Sequence, residues 1–174
     1  ALYFWTHNTA ITNNEYTADD YASYTLTGGT GTGGVGNFVD ANNNGIMDPV
    51  EEVVSNRPLG KIAAGQSFFV ENAAAGSFQF TNTMRIAGNN SQFFKQANTK
   101  KTATVEKNRV WLNLTNSGGA FKQLLVGYIT GATNDWDNLY DGPTFDGQEF
   151  VDFYSVNQGK NLTIQGRALP FVDT

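Results

Sequence analysis

The sequence has no cysteine and one histidine, His7. The first absence removes disulfides, thiolate nucleophiles and cysteine-based zinc sites. The second rules out any site needing two imidazoles and leaves a Ser-His-Asp triad dependent on His7 alone, which reads as a packed or surface residue. Charged residues are only 16% of the chain, and the formal net charge is -5. No stripe of Lys and Arg exists to displace counterions, which argues against nucleic acid as a partner. Lys100–Lys101 is the one basic doublet. No apolar run approaches the roughly 18 residues of a membrane-spanning helix, and apolar residues at helical spacing are almost wholly missing.

What the sequence does contain is alternation. With 40% hydrophobic and 13% aromatic residues over 174 positions, the composition suits a packed core, and the length suits one domain spanning 1–174. In "SFQFT", Phe78 and Phe80 alternate with Ser77, Gln79 and Thr81. "RVWLNLT" sets Val110, Leu112 and Leu114 on a core-facing side and Trp111 with Asn113 on the other. "NLTIQG" separates Leu162 and Ile164 from Thr163 and Gln165. Such period-2 runs read as half-buried antiparallel strands. "SFFVEN" and "FKQLLVGYIT" are more continuously apolar and read as central strands. "NSGG", "AAAG", "NQGK" and "YDGPTFDGQ" supply turn chemistry between them. The expected fold is all-β, an antiparallel β-sandwich of jelly-roll type. Thr27–Asn37, "TGGTGTGGVGN", reads as a flexible connector, since no helix and no Gly-Lys-[Ser/Thr] ending follows to make a phosphate loop. Together with the acidic loop after it, this connector spans 27–59.

The acidic loop carries the sharpest motif. Counted from Asp40, oxygen-bearing side chains fall at Asp40, Asn42 and Asn44, with Gly45 sixth, Ile46 seventh, Asp48 ninth and Glu51 twelfth. This matches the D-x-[DN]-x-[DN]-G-x5-E calcium pattern at every fixed place. Alternate residues aim oxygens at one centre, the glycine permits the sharp turn, Ile46 contributes its carbonyl, and Glu51 closes the shell with two oxygens. Pro49 within the loop and the Gly-rich run before it leave no room for the paired helices of a calcium sensor. The reading is an isolated Ca2+ staple in a long loop, against the alternative of an Asn-rich turn that caps its own backbone.

Two further groups carry candidate chemistry. Asp135, Asp137, Asp141, Asp146, Glu149 and Asp152 form an acidic cluster, and paired carboxylates are what glycoside hydrolysis uses. Turn-forming aspartates before glycine explain most of it, and a second cation site at Asp135, Asp137 and Asp141 is the other reading. Trp111, Trp136 and Tyr140, with Trp5, suggest a sugar-stacking platform; burial against a second sheet or a covering loop competes with that.

Once the runs are placed in order, "GKIAAGQSFFVEN", "FQFTNTMR", "QFF", "RVWLNLT", "LLVGYITGATNDWDNLYDG" and "FYSVNQGKNLTIQGRALPF" resemble a β-rich module of large secreted Bacteroidota proteins. In those proteins the module lies upstream of the C-terminal sorting domain of the type IX secretion system. "LYFWTHNT" and "YTADDYASYTLTGGTGTG" fit its opening part, so the likeness covers nearly the whole chain, with the calcium-type loop as an insertion. The resemblance implies an extracellular, cell-surface setting, a place within a longer polypeptide, and neighbouring domains or other surface subunits as partners. It carries over no catalytic residue. The expectation is therefore a non-catalytic, calcium-stabilised structural or adhesive module. The alternatives are a carbohydrate-binding module using Trp111, Trp136 and Tyr140, and a carboxylate-dependent glycoside hydrolase.

Overall fold

The computed structural model describes residues 1–6, 11–12, 15–16, 21–32, 57–72, 74–87, 108–116, 120–145 and 151–171. The strands in these residues are β1 (Leu2–Trp5), β2 (Ile11–Thr12), β3 (Glu15–Tyr16), β4 (Tyr21–Thr25), β5 (Gly28–Thr30), β6 (Phe69–Val70), β7 (Arg109–Thr115), β8 (Phe121–Ile129), β9 (Gly142–Pro143), β10 (Ser155–Asn157) and β11 (Lys160–Ala168). A 3-10 turn at Asn82–Met84 is the one helical element among them. The fold is all-β, as expected. Among the described residues no helix is long and apolar enough to cross a membrane.

One sheet runs β5-β4-β1-β6, and a second runs β10-β11-β8-β7 with β9 also paired to β11. β2 and β3 form a separate antiparallel pair. β8 is the central strand of the second sheet, buried along nearly all its length, as its continuous apolar run requires. β7 lies antiparallel to it and β11 parallel. That parallel pair departs from the purely antiparallel sheet expected. Parallel neighbours need a long crossover, and the described residues between β8 and β11 supply turns, β9 and β10 for it. The "NQGK" turn forms as read: Gln158 (φ 48°) and Gly159 (φ 75°) close the β10–β11 hairpin, the two positive φ values typical of a two-residue hairpin loop.

The sheets meet where the β4–β5 hairpin lies over β8 and β11. Thr27, at its tip, is fully buried. Its hydroxyl donates to the Tyr140 carbonyl at 2.7 Å, and the Thr25 hydroxyl donates to the same oxygen at 2.8 Å. Leu26 N–H donates to the Leu139 carbonyl at 2.9 Å. Below Thr27 stand Gly127 and Gly166, partners across β8 and β11. A Cβ on Gly127 would sit 2.7 Å from Thr27 Cγ2; one on Gly166 would sit 2.6 Å from Tyr140 Cβ and 2.7 Å from Thr27 Oγ1. Glycine is needed here for close approach. Around the contact, Tyr3, Phe4, Leu125, Leu162 and Ile164 form the buried core. Beyond the first sheet, Pro58 lies on Gly29, Gly60 on the Tyr24 ring, and Phe68 near Phe4.

Three sequence expectations change. Thr27–Thr32 is no flexible connector: Thr27, Thr30 and Thr32 are buried, and Gly28–Thr30 is a strand. Its glycines serve proximity, letting Pro58 and Leu125 approach the backbone. Val110, Leu112 and Leu114 do not face the core; they are exposed. Arg109 and Trp111 point inward instead, because the hairpin offers them carbonyls: Arg109 Nε donates to Thr27 O, and Trp111 Nε1 to Gly29 O at 3.0 Å. "SFFVEN" and "SFQFT" are not covered strands. β6 is two exposed residues at the sheet edge, and residues 77–81 form no strand.

Gly166→Ala should lower stability by about 1–3 kcal/mol, the usual cost of overpacking. A thermal melt unchanged from wild type would contradict the close approach of the sheets.

Candidate functional site

Gln123, on the inner face of β8, is the meeting point of several elements. Its Oε1 accepts from Gly31 N–H at 3.1 Å and from Arg57 Nε at 3.0 Å. Its Nε2 donates to Asn113 Oδ1 at 2.8 Å, across the β7–β8 register. Its carbonyl accepts from the Thr163 hydroxyl at 3.1 Å. Every polar atom of the side chain is thus engaged in a buried setting, where unmet hydrogen bonds are costly. Arg57 also lays its guanidinium 4.2 Å from the Trp111 ring centroid, a cation–π contact. Thr32 and Thr6 share a buried hydroxyl–hydroxyl bond of 2.7 Å.

Gly31 and Arg57 stand on either side of residues 33–56, so the chain departs and returns at one side-chain oxygen. Residues 33–56, including Asp40, Asn42, Asn44, Ile46, Asp48 and Glu51, lie outside the described residues, as do His7, Asp146 and Glu149. The donor set expected there from the sequence alone, three carboxylates, two amides and a backbone carbonyl, is all hard oxygen, the ligand type Ca2+ takes. Beside its base is a small polar cavity lined by Thr30, Thr32, Lys122, Gln123 and Thr163. The buried Lys122 ammonium donates to Asp152 Oδ1 and Thr144 Oγ1, each at 3.1 Å.

The described acidic residues serve the fold. Asp141 is fully buried. Its two oxygens accept from Asp137 N–H at 2.9 Å and Gly166 N–H at 2.8 Å. Burial raises its pKa despite these two bonds, which pull the other way. Asp137 Oδ1 caps Leu139 N–H at 3.0 Å, and Asp135 Oδ1 accepts from Gln158 Nε2 at 2.7 Å. Asp152 pairs with Lys122. Among the described residues, no three acidic or imidazole side chains converge as a metal site.

The aromatic candidates occupy separate contacts. Trp111 is held between the Gly29 carbonyl and Arg57. The Lys160 ammonium lies over the Trp136 ring, 4.5 Å from its centroid, and the Trp136 backbone N–H donates to Gln158 Oε1. Tyr140 supplies the carbonyl that receives Thr25 and Thr27, and its hydroxyl lies against Gly131. No ring contact joins the three.

The family model for a domain of unknown function, DUF8693, matches residues 1–174. The chain belongs to the DUF8693 family. No curated protein and no solved structure matches it. In this DUF8693 chain, the residues that sequence reasoning missed are Gln123 and the Thr27, Gly127 and Gly166 group. Gly127 did leave a trace, since glycine inside an apolar strand run marks a close backbone approach. Nothing in the sequence around Gln123 marks it, because its partners lie 10 to 92 positions away.

Gln123→Leu in the DUF8693 chain leaves Gly31 N–H and Arg57 without their shared acceptor. It should cost about 1–3 kcal/mol and speed proteolytic cleavage within 33–56, read by timed digestion and mass spectrometry. Asp141→Asn leaves one carbonyl oxygen for two N–H donors and should destabilise. Because the Asp141 pKa is raised in the folded state, its protonation adds stability that is lost as pH rises through the folded value. The wild type's melting advantage over Asp141→Asn should therefore widen from pH 7 towards about pH 4, the ordinary carboxylate range. A narrowing advantage would contradict the burial argument.

Proposed function

We propose that this DUF8693 chain is a non-catalytic, calcium-stabilised β-sandwich module, of jelly-roll type, in an exported bacterial cell-surface protein. Its role is structural or adhesive, and it works beside neighbouring domains of the same polypeptide. The observation that supports this most is the joint anchoring of Gly31 and Arg57 on Gln123 Oε1. A loop with both ends already fixed has lost part of its closure entropy, so an ion within it need only order the span between them. The twelve-position match from Asp40 to Glu51 supplies the ligands, and one glutamate with two aspartates supplies the charge.

Affinity of about 0.1–1 mM suffices in calcium-rich extracellular surroundings, which agrees with the surface location suggested by the type IX module resemblance. The carboxylates of Asp40, Asp48 and Glu51 repel one another without the ion, so calcium removal loosens the loop as well as releasing a ligand. Glycan recognition through Trp111, Trp136 and Tyr140 has less support, since each ring is engaged in its own contact.

Calcium at ten times its dissociation constant should stabilise the chain by about 1.4 kcal/mol, seen as a rise in melting temperature. Asp40→Ala should abolish the rise while leaving the chelator-treated melt near that of wild type. Equal melts with calcium and with chelator would overturn the proposal.

A further inference from the structure

The small cavity beside Gln123 lies between the two sheets, at the open end of the β4–β5 hairpin. Tyr21 and Thr30 wall it from the first sheet, and Lys122, Gln123 and Thr163 from the second. The surface that its walls turn inward is mostly polar, and the space between them is about 10 Å³. That is close to the smallest volume that holds a single water molecule.

One wall group calls for a partner. Thr30 is 3% exposed, and among the described residues no backbone or side-chain group hydrogen-bonds its hydroxyl. The other hydroxyls at the wall are engaged: Thr163 donates to the Gln123 carbonyl at 3.1 Å, and Thr32 shares its bond with Thr6 at 2.7 Å. A hydroxyl taken out of water with no replacement is costly. The Thr30 oxygen is not sealed by packed atoms either. Among the described residues, the one sealed side-chain polar atom without a partner is Gln66 Oε1. The Thr30 oxygen therefore opens onto the cavity.

We propose that this cavity is the binding site of one water molecule that joins the two sheets. The water accepts from the Thr30 hydroxyl and donates to Thr163 Oγ1, whose own proton is committed to Gln123 and whose lone pairs can accept. It makes the link that the Thr30 side chain is too short to make, one residue before Gly31, which Gln123 holds. Size and charge select this occupant. Cavities that stay empty are apolar, and no organic ligand fits so small a space. The Lys122 ammonium in the wall disfavours a cation. Its charge is met by Asp152 at 3.1 Å, so no surplus charge demands an anion, and chloride is bulkier than water.

NMR water relaxation dispersion on the full 174-residue chain tests this by counting long-lived internal waters. Chelator is present throughout, so that waters on bound calcium do not contribute. Thr30→Val exchanges the hydroxyl for a methyl of similar size; it should remove one long-lived water and lower the melting temperature. Thr30→Ser keeps the hydroxyl and should keep the water. Thr163→Val, on the other sheet, should remove the same water, so the double valine variant loses no more than either single one. Circular dichroism checks that each variant keeps the wild-type fold. A water count that neither valine variant changes would overturn the proposal. So would a Thr30→Val chain that melts above wild type, the result of deleting a partnerless hydroxyl from a dry cavity. Chloride NMR line broadening that Thr30→Val relieves would put an anion in the site and overturn the proposal as well.

Discussion

The rest of the described structure depends on how closely the β4–β5 hairpin approaches the second sheet at Thr27. A threonine that is fully buried must place its hydroxyl, and the Tyr140 carbonyl accepts it. That contact is reachable only because Gly127 and Gly166 stand side by side under it. Two absent side chains thus set the spacing of the two sheets at this point. With the spacing fixed, Arg109 and Trp111 find the carbonyls of Thr27 and Gly29. Gly31 is then carried to Gln123, whose Oε1 also receives Arg57.

Asp141 belongs to the same device. It lies one residue beyond Tyr140, and it accepts the N–H of Gly166, the glycine beneath Thr27. A carboxylate taken out of water is costly unless its lone pairs are met, and here two backbone donors meet them. The acidic cluster that invited a catalytic reading is, at Asp141, Asp137 and Asp135, a set of turn and hairpin fastenings. It holds the crossover between β8 and β11 in place, which is the connection a helix usually makes.

Much of the strand content was legible, because period-2 alternation is a local property. β8 and β11 are buried strands, and the Gln158–Gly159 turn closes where its residues suggest. What alternation cannot say is which face meets the core. Val110, Leu112 and Leu114 are the more apolar set, yet the inward face belongs to Arg109 and Trp111, since a polar hairpin rim awaited them. Nor can a local pattern distinguish a glycine that loosens the chain from one that admits a neighbour. Gly28–Gly29 looked like the former and is the latter. "SFQFT" has a strand's pattern without a ladder, and pairing is a long-range property that no window of five residues contains. The calcium-type spacing from Asp40 to Glu51 is the sharpest local pattern in the sequence, and its residues lie outside those described. The Gln123 anchor was not legible, because its meaning lies in who its partners are.

We propose that calcium orders residues 33–56, whose flanking Gly31 and Arg57 are both held by the Gln123 side chain. Hydrogen exchange followed by mass spectrometry, with calcium and with chelator, measures this directly. Calcium should slow exchange in peptides covering 33–56, while peptides covering β8 and the Gly31 and Arg57 anchors stay protected in both conditions. Exchange in 33–56 that is indifferent to calcium would contradict the account, as would loss of protection at the anchors when calcium is removed.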